Sequence, residues 1–404
     1  MYSNLSAYEK IVGSREIEEI LTLADKIKGI SVVHVNSTFE GGGVAEILRS
    51  LVPLFNLAGI HCRWEVIRGT DKFFRTTKFF HNLLQGISFE GKNKISISEE
   101  MLDEYRRVNE ENIKKIDLTS DIVIVHDPQP AALIKAKKDN KWVWRCHIDL
   151  SNPDRKTWNY LSSYIKEYDA AVFSLEDFVQ SLPLACYIIP PSIDPLNEKN
   201  KKLSSDEIKS VLKRLKIPQE KPILLQVSRF DYFKDPVGVI KMYRMVKKKV
   251  DCQLILAGGE AKDDPEGPEV LTRVREEAGD DSDIHILNLP PESFFEINAL
   301  QRSAEVVIQK SLKEGFGLTV TEALWKARPV VGGNVGGIRL QIMQGKNGFL
   351  VSSPEEAAEK VEYLLKNPSV ACKMGKAGKR LVKDKFLITR HLKDYLRMMT
   401  EILN

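Results

Sequence analysis

Two carboxylates on either side of a glycine turn carry the clearest chemistry in this sequence. Glu314 comes directly before Gly315-Phe316-Gly317-Leu318-Thr319, and Glu322 follows on the helix predicted after the turn. Glycines let the backbone approach a ligand closely, and a helix start offers N–H groups to anions or sugar hydroxyls. A carboxylate at each end could therefore hold two hydroxyl-bearing groups. For either glutamate alone, a solvated side chain beside a capped helix is the simpler interpretation.

A second charged pair lies between a predicted strand and a predicted helix. Arg229 and Lys234 are five residues apart, in a turn that follows the apolar run 222–227 and precedes a helix beginning at Pro236. A guanidinium binds phosphate as a fork and an ammonium binds it as a point charge, so both can point at one diphosphate. Two ordinary surface charges are the alternative for such a pair taken alone.

The N-terminal half repeats the order strand, glycine turn, helix. Glu40, Gly42 and Gly43 lie in the loop between a strand predicted over 30–35 and a helix predicted over 45–57. Such a turn places phosphate at a helix start. The spacing is not G-x-G-x-x-G, so a dinucleotide fingerprint is not supported. A merely flexible loop is the alternative.

Polar residues also follow two neighbouring predicted strands. His126 and Asp127 come after the strand predicted over 121–125, and His147 comes after the strand predicted over 142–146. Ligands of open α/β sheets bind at the carboxyl ends of strands. A lone histidine is usually a satisfied polar residue, but two at strand ends favour ligand contact.

Strands alternate with helices through both halves of the chain, which predicts an α/β fold of two doubly wound, parallel-sheet, Rossmann-like domains. A length of 404 residues exceeds one ordinary core. Clustered prolines at 190–195 mark a linker. The predicted domains are therefore 1–195 and 196–387, followed by a helix over about 388–404.

Composition excludes several classes of protein. The net charge is +4 with interleaved signs, which predicts no nucleic-acid partner. No apolar run approaches the roughly 20 residues of a membrane span, and no signal pattern opens the chain, so we expect a cytoplasmic protein. The five cysteines are far apart and are expected to be buried and reduced. The seven histidines show no metal-binding spacing, so no metal site is predicted, and abundant Lys and Glu would suit a heat-adapted protein.

Together these segments resemble the retaining nucleotide-sugar glycosyltransferases of family 4. Residues 314–322 match the E-x7-E signature with its EGFGL core, Arg229 and Lys234 match the R-x4-K clamp, and 190–194 match the P-x-[GS]-[IV]-D linker. The resemblance implies the GT-B fold, in which two domains face each other across a cleft. It also implies that the last helix packs back on the first, acceptor-side domain, while the second binds the nucleotide sugar.

The resemblance also implies roles for individual residues. The first glutamate faces the donor sugar, the turn N–H groups hold sugar hydroxyls and phosphate, and the second glutamate holds the ribose. The residues implied as catalytic are Glu314, Arg229, Lys234 and His147. Those implied as donor-binding are Gly42, Gly43, Gly258 in the turn 258–260, Leu289, Gly315, Phe316, Gly317, Leu318, Thr319 and Glu322. Those implied as acceptor-binding are Glu40, His126, Asp127 and Arg155.

Three segments of the first domain resemble the trehalose-forming group of this family: N-S-T-x-x-G-G-G-V-A-E at 36–46, H-D-P-Q-P at 126–130, and W-R-C-H-I-D-L-S-N-P at 144–153. The implied reaction transfers glucose from ADP- or UDP-glucose to free glucose, giving trehalose, and is expected to be reversible. Cationic side chains would replace a metal, so no cofactor is required, although Mg²⁺ can accompany the nucleotide. A homodimer is an open possibility.

Three other functions stay open. A retaining trehalose phosphorylase would share the motifs but use phosphate and glucose 1-phosphate. A sucrose- or polymer-forming glycosyltransferase would differ only in its acceptor, and a non-catalytic sensor would bind the nucleotide sugar without turnover. The sequence does not predict the preferred base, the oligomeric state, the extent of domain closure or the direction of the reaction in the cell.

Overall fold

The computed structural model describes residues 5–90, 93–259 and 267–404, and the chain divides into two compact units. Unit 1 comprises Met1–Pro191 and Ile388–Asn404, and unit 2 comprises Ser192–Leu387. The division falls inside the proline-rich linker, slightly before the boundary predicted at residue 195. Unit 1 is therefore built from two separate stretches of the chain.

The helices of unit 1 come from both stretches of the chain that build it. They are α1 (Ser6–Val12), α2 (Ser14–Lys26), α3 (Gly42–Leu57), α4 (Asp71–Leu84), α5 (Glu99–Ile113), α6 (Arg155–Ile165) and α15 (Ile388–Leu403), with 3₁₀ helices at Ala131–Ala136 and Glu176–Phe178. The strands are β1 (Ser31–Asn36), β2 (His61–Val66), β3 (Phe89–Glu90), β4 (Asn93–Lys94), β5 (Ile122–His126), β6 (Lys141–Arg145), β7 (Ala170–Phe173) and β8 (Ala185–Ile188).

The main sheet of unit 1 has six parallel strands in the order β2-β1-β5-β6-β7-β8, while β3 and β4 form a separate antiparallel pair. Strand β5 is buried along its whole length, as expected for a parallel sheet with both faces covered. The direction of winding reverses between β1 and β5. In such sheets a crevice forms at the carboxyl ends of the two strands at the reversal.

The last helix, α15, completes the core of unit 1. Its apolar face buries Leu392, Leu396 and Met399 completely, and it packs against α2 and α3. At the edge of this contact, Lys393 Nζ lies 3.1 Å from Glu19 Oε2 on α2. The two ends of unit 1 are thus joined by apolar burial and by an ion pair at its rim.

Unit 2 consists of the remaining elements. Its helices are α7 (Ser205–Arg214), α8 (Pro236–Lys247), α9 (Gly267–Ala278), α10 (Phe294–Ser303), α11 (Leu318–Trp325), α12 (Ile338–Gln341), α13 (Pro354–Lys366) and α14 (Pro368–Lys385), with a 3₁₀ helix at Tyr232–Lys234. Its strands are β9 (Ile223–Val227), β10 (Gln253–Gly258), β11 (Ile284–Asn288), β12 (Val306–Gln309), β13 (Val330–Gly333) and β14 (Gly348–Val351).

The sheet of unit 2 has six parallel strands in the order β11-β10-β9-β12-β13-β14. Renumbered within the unit, this is the order 3-2-1-4-5-6 of the Rossmann fold, with the winding reversed between β9 and β12. The prediction of two doubly wound parallel-sheet domains is confirmed. The glycine turn between the two glutamates follows β12, so it lies at the reversal point.

Two details of the helices differ from the prediction. The helix after the glycine turn, which the sequence predicts over 318–328, ends at Trp325, because Ala327 adopts a left-handed backbone with φ 57°. Helix α7 was not predicted, since it lies in the charged stretch after the linker. A capping box is its sequence signal: Ser204 accepts from the N–H of Glu207, and Glu207 accepts from the N–H of Ser204.

The prediction that the cysteines are buried is confirmed for three of the five and wrong for Cys186 and Cys372. Cys186 lies on β8, an edge strand with a mostly exposed surface, and Cys372 lies on the outer side of α14. All five are free thiols. Within the described ranges, no helix is long and apolar enough to cross a bilayer.

Candidate functional site

The residues singled out in unit 2 meet at the carboxyl ends of β9 and β12. Arg229 and Lys234 lie in the loop after β9, and Glu314 lies in the loop after β12. These are the two strands at which the winding of the sheet reverses. We call the group of Arg229, Lys234, Glu314 and the turn 315–319 the unit 2 cluster.

Glu314 is paired directly with Lys234. Its Oε2 atom lies 2.7 Å from Lys234 Nζ and also accepts a hydrogen bond of 3.2 Å from Ser311 Oγ. The side chains of Lys234 and Glu314 are only 19% and 11% exposed. The sequence separates them by 80 positions, so the sheet brings them together. The carboxylate is therefore held in one orientation before any ligand binds.

The loop after β9 is shaped to return Lys234 to the sheet edge. Asp231 begins the 3₁₀ helix and accepts a 2.7 Å hydrogen bond from the N–H of Phe233. Gln226 on β9 donates from Nε2 to the carbonyl of Lys234 at 2.6 Å. Arg229 Nη2 lies 3.7 Å from Asp231 Oδ2, and its side chain is 42% exposed. Arg229 thus reaches solvent from the same loop that holds Lys234.

Asp235 links this loop to the neighbouring strand end. Its backbone is left-handed with φ 51°, and its side chain caps α8 by accepting from the N–H of Gly238 at 3.1 Å. Lys310, directly after β12, forms an ion pair with Asp235. Lys310 and Ser311 belong to no motif singled out in the sequence. Their position directly after a buried strand is the signal that could have found them.

The glycine turn presents a row of open backbone donors. Among the described residues, no protein group accepts a hydrogen bond from the N–H groups of 315–319. Gly317 has φ 85° and ψ 70°, a conformation that side-chain-bearing residues rarely adopt. Gln341 fixes the turn from behind, because its Nε2 donates to the carbonyl of Phe316 at 2.6 Å. The turn is thus rigid, and its donors remain available.

Gly258 and Leu289 lie at neighbouring strand ends. The N–H of Leu289 donates to the carbonyl of Gly258 at 2.6 Å. A Cβ on Gly258 would lie 1.7 Å from the carbonyl oxygen of Ser228, so only glycine fits here. The structure therefore brings this turn against the loop that carries Arg229. Of the turn 258–260, Glu260 lies outside the described residues.

Glu322, the second glutamate of the E-x7-E signature, lies within α11. It lies on the buried side of α11 with no exposed surface. Its Oε1 lies 2.8 Å from Lys199 Nζ, and its Oε2 accepts from Gln301 Nε2 at 2.9 Å. Burial alone would raise the pKa of this carboxyl, but Lys199 and Lys326 bring the pKa below its usual value. The charge is thus paired inside unit 2.

We expect Glu322→Gln to lower the free energy of unfolding by about 3 kcal/mol near neutral pH, because it leaves Lys199 without its buried partner. The pKa of Glu322 is lower in the folded state than its ordinary value of 4.5, so the ionised carboxylate stabilises the fold. This contribution to the free energy of unfolding is complete above pH 4.5 and is lost as the pH falls through the folded-state pKa. Denaturant unfolding between neutral and acid pH measures both effects. If Glu322→Gln has the same free energy of unfolding as the wild type, and loses it in the same way as the pH falls, the buried Glu322–Lys199 pair is not stabilising as described.

In unit 1, the loop after β1 carries the glycines and Glu40. Asn36, the last residue of β1, donates to the carbonyl of Thr38 at 2.9 Å and accepts from Trp64 Nε1 at 2.8 Å. Glu40, Gly42 and Gly43 are exposed, and α3 begins at Gly42. The start of α3 therefore opens at the carboxyl edge of the sheet, where winding reverses.

A second group of predicted site residues lies at the ends of β5 and β6, next to β1 in the sheet: His126, Asp127 and His147. His126 Nδ1 and His147 Nε2 lie 2.9 Å apart, and the two rings stack with their planes 15° apart. Asp127 has φ 65°, and its Oδ1 accepts from the N–H of His147 at 2.7 Å. Arg155 is exposed in the first turn of α6, and no described hydrogen bond joins it to these three.

Burial shifts the pKa values of His126, His147 and Asp127 and so determines their charge. It lowers the pKa of His126 and His147 well below the usual value, and the nearby guanidinium of Arg145 lowers both further. Burial raises the pKa of Asp127 to about 7, although the His147 N–H and Arg145 act in the opposite direction. Both imidazoles are thus neutral near pH 7. No group of His, Cys, Asp and Glu within the described residues could hold a metal ion.

Comparison with known proteins connects both units to sugar transfer. Residues 34–180 match the family model described as trehalose synthase, N-terminal domain, and residues 207–381 match glycosyl transferases group 1. The trehalose synthase of Pyrococcus horikoshii is 49% identical, over 98% of this chain and 96% of that protein. The trehalose phosphorylase of Grifola frondosa is 28% identical, over 89% of this chain but only 55% of that protein.

A solved structure shows the same fold at low sequence identity. It is an α,α-trehalose-phosphate synthase (UDP-forming) from Burkholderia xenovorans, with a TM-score of 0.76 and 12% identity, covering 93% of this chain and 100% of that one. This likeness confirms the GT-B fold that the sequence predicted. The identity to trehalose synthases along nearly the whole chain identifies the family. The chain belongs to the trehalose synthase family of GT-B glycosyltransferases.

Proposed function

We propose that this chain is a retaining glycosyltransferase that moves glucose from ADP- or UDP-glucose to free glucose and so forms trehalose. The observation that carries the proposal is the unit 2 cluster: Glu314 paired with Lys234, with Arg229 on the same loop and open N–H groups at 315–319. Relatives named trehalose synthase support the product, and a UDP-forming enzyme of the same fold supports the donor class.

The cluster suits a reaction in which a diphosphate leaves a sugar. As the bond between the anomeric carbon and the phosphate oxygen breaks, negative charge builds on the diphosphate and the sugar becomes oxocarbenium-like. Arg229, Lys234 and the turn N–H groups would stabilise that developing charge. The exposed glycine loop at Gly42 and Gly43 would add further donors. These cationic groups would do the work that a metal ion does in other phosphate sites.

Retention follows if the acceptor approaches the face that the diphosphate leaves. The new bond joins an acceptor oxygen to the anomeric carbon, and the departing phosphate oxygen takes the acceptor proton. The sequence shows no paired-carboxylate glycosidase signature for a covalent intermediate. Glu314 would orient the donor sugar, since Lys234 and Ser311 already hold its carboxylate. Glu322 would contribute to the ribose site only after exchanging its contact with Lys199.

The acceptor glucose is proposed to contact residues of unit 1. His126, Asp127 and His147 form one hydrogen-bonded group, and Glu40 extends from the loop after β1. With neutral imidazoles and a carboxyl whose pKa is about 7, this group suits an uncharged sugar better than a sugar phosphate. Arg155 would have to reach this group from α6.

A phosphorylase is the second candidate, because the Grifola frondosa relative carries that name. It would form trehalose from glucose 1-phosphate and glucose without any nucleotide. The same cationic cluster could bind a single phosphate. A glycosyltransferase with another acceptor and a sensor without turnover are further alternatives. Each predicts a different substrate requirement.

The test is product analysis with defined donors. The protein is incubated with glucose and either ADP-glucose, UDP-glucose or glucose 1-phosphate, and trehalose and the released nucleoside diphosphate are quantified. Equal amounts of trehalose and diphosphate support the proposal. Trehalose from glucose 1-phosphate alone would instead identify a phosphorylase. Trehalose from maltose, without any nucleotide, would identify an isomerase. Diphosphate without disaccharide would point to another acceptor, and donor binding without turnover would identify a sensor.

A further inference from the structure

We propose that His34 and His126 are positioning residues that hold His147 as a neutral imidazole with its proton on Nδ1. His147 would then present a fixed hydrogen-bond donor to an oxygen of the acceptor sugar. The second statement rests on the proposed function. The first concerns the free protein and can be tested without any substrate.

The three rings form one continuous hydrogen-bonded chain. His34 Nδ1 and His126 Nε2 lie 2.9 Å apart, and His126 Nδ1 and His147 Nε2 also lie 2.9 Å apart. His34 and His126 lie on the neighbouring strands β1 and β5, and His147 follows β6. The exposed fraction is 0% for His34 and 3% for His126. This row of three histidine rings thus runs from the interior of unit 1 to the carboxyl edge of its sheet.

Hydrogen-bond counting allows only two proton arrangements. A neutral imidazole carries one N–H and one acceptor nitrogen, and each contact needs one donor. Either all three rings carry the proton on Nδ1, or all three carry it on Nε2. Mixed arrangements would place two protons or two lone pairs against each other. Burial keeps the three imidazoles neutral, since it lowers the pKa of His34 to about 3 and the pKa of His126 and His147 well below the usual value.

The buried end of the chain selects between the two arrangements. His34 Nε2 is buried and has no hydrogen-bond partner among the described residues. With protons on Nε2, this atom would be a buried N–H without an acceptor, which is rare in folded proteins. With protons on Nδ1, it is only an unused lone pair. The Nδ1 arrangement is therefore favoured, and it places an N–H on the outer nitrogen of His147.

The same closed end excludes a role as a proton wire. A wire must pass a proton onward at each end, and His34 Nε2 has no described partner to receive it. The three histidines can therefore fix the tautomer of His147, but they cannot pass a proton along the row. Among the described residues no hydrogen bond uses His147 Nδ1, so this donor is left for a ligand. From that nitrogen His147 can donate to a hydroxyl oxygen but cannot accept its proton.

The tautomer can be read from imidazole ¹⁵N NMR of the free protein, which has only seven histidines. His147 is assigned by loss of its signal in His147→Asn. We expect Nδ1 to be the protonated nitrogen of His147 in the wild type. We expect His126→Leu to shift His147 toward the Nε2–H form that free imidazole side chains prefer. A wild-type proton on Nε2, or an unchanged tautomer in a folded His126→Leu, would overturn the proposal.

Kinetics test the consequence for the acceptor. Losing one oriented hydrogen bond should raise the KM for glucose about three- to tenfold in His126→Leu, with the KM for the nucleotide sugar unchanged. His126→Asn can still donate toward His147 Nε2 and should restore most of the wild-type KM. His61→Leu removes an exposed ring at the first residue of β2, outside the row of three histidines, and is the control within the same sheet. It should leave the glucose KM unchanged.

Two kinetic results would contradict the positioning role. One is a glucose KM raised equally by His61→Leu and His126→Leu, and the other is a failure of His126→Asn to restore it. Failure of the proposed function is recognised separately. In that case the wild type forms no trehalose from nucleotide sugar and glucose, while the NMR result still decides the tautomer.

Discussion

Replacing Glu314 with alanine is expected to reduce trehalose formation by about 100- to 1,000-fold while the protein stays folded. The carboxylate is held by Lys234 at 2.7 Å and by Ser311 at 3.2 Å, so its position does not depend on a ligand. In the proposed role this preorganised group orients the donor sugar. Its loss removes an interaction that strengthens in the transition state, so kcat should fall more than donor affinity.

The stability of Glu314→Ala shows whether its loss of activity comes from the site or from a loss of folded protein. The Lys234–Glu314 pair is mostly but not fully buried, so its loss should cost about 1–3 kcal/mol. Circular dichroism and thermal unfolding measure that cost beside kcat. Glu220→Ala, which removes an exposed carboxylate elsewhere in unit 2, is the control. Wild-type turnover in Glu314→Ala would remove Glu314 from the site.

Replacing Arg229 with alanine is expected to weaken binding of the nucleoside diphosphate about 10- to 100-fold and to lower turnover as well. A charged hydrogen bond to phosphate is among the stronger polar interactions, and a guanidinium can make two of them. The Arg229 side chain is 42% exposed, and an ion pair at this exposure, such as the one with Asp231 at 3.7 Å, contributes little to stability. Its loss should therefore affect the ligand far more than the free protein.

Calorimetric titration with ADP and UDP measures the effect of Arg229→Ala. Arg244→Ala is a matched control, because Arg244 is 45% exposed and pairs with Glu277 at 2.9 Å on another surface of unit 2. Arg229→Lys keeps the charge but loses the fork, so its affinity should be intermediate. Salt should weaken nucleotide binding less steeply in Arg229→Ala than in the wild type. An unchanged dissociation constant would exclude Arg229 from the diphosphate site.

Most strands were predictable because parallel strands covered on both faces are continuous apolar runs. The runs at 122–126 and 223–227 are examples, and both are strands in the structure. The end of α11 was not predictable, because it depends on the left-handed backbone of Ala327. Nor did apolar periodicity reveal α7, whose signal is the capping box at Ser204.

The candidate site was predictable where function resides in a short segment, as in the turn 315–319. It was not predictable where partners are distant in sequence. Lys199 and Glu322 are an example, since no local pattern indicates that a loop near the linker supplies the partner of a buried carboxylate. His34 is another, because a single histidine inside an apolar strand gives no sign of a partner 92 positions away. Three-dimensional packing supplies both pairings.

The assignment of α15 to unit 1 has a consequence for synthesis on the ribosome. Residues 388–404 emerge after all of unit 2, yet they cover the apolar surface of α2 and α3. Until then the nascent N-terminal unit lacks one layer of its core. Unit 2 is continuous in sequence and has no such delay. The unit translated first should therefore be the last to reach its native state, and it is the one that chaperones should protect during translation.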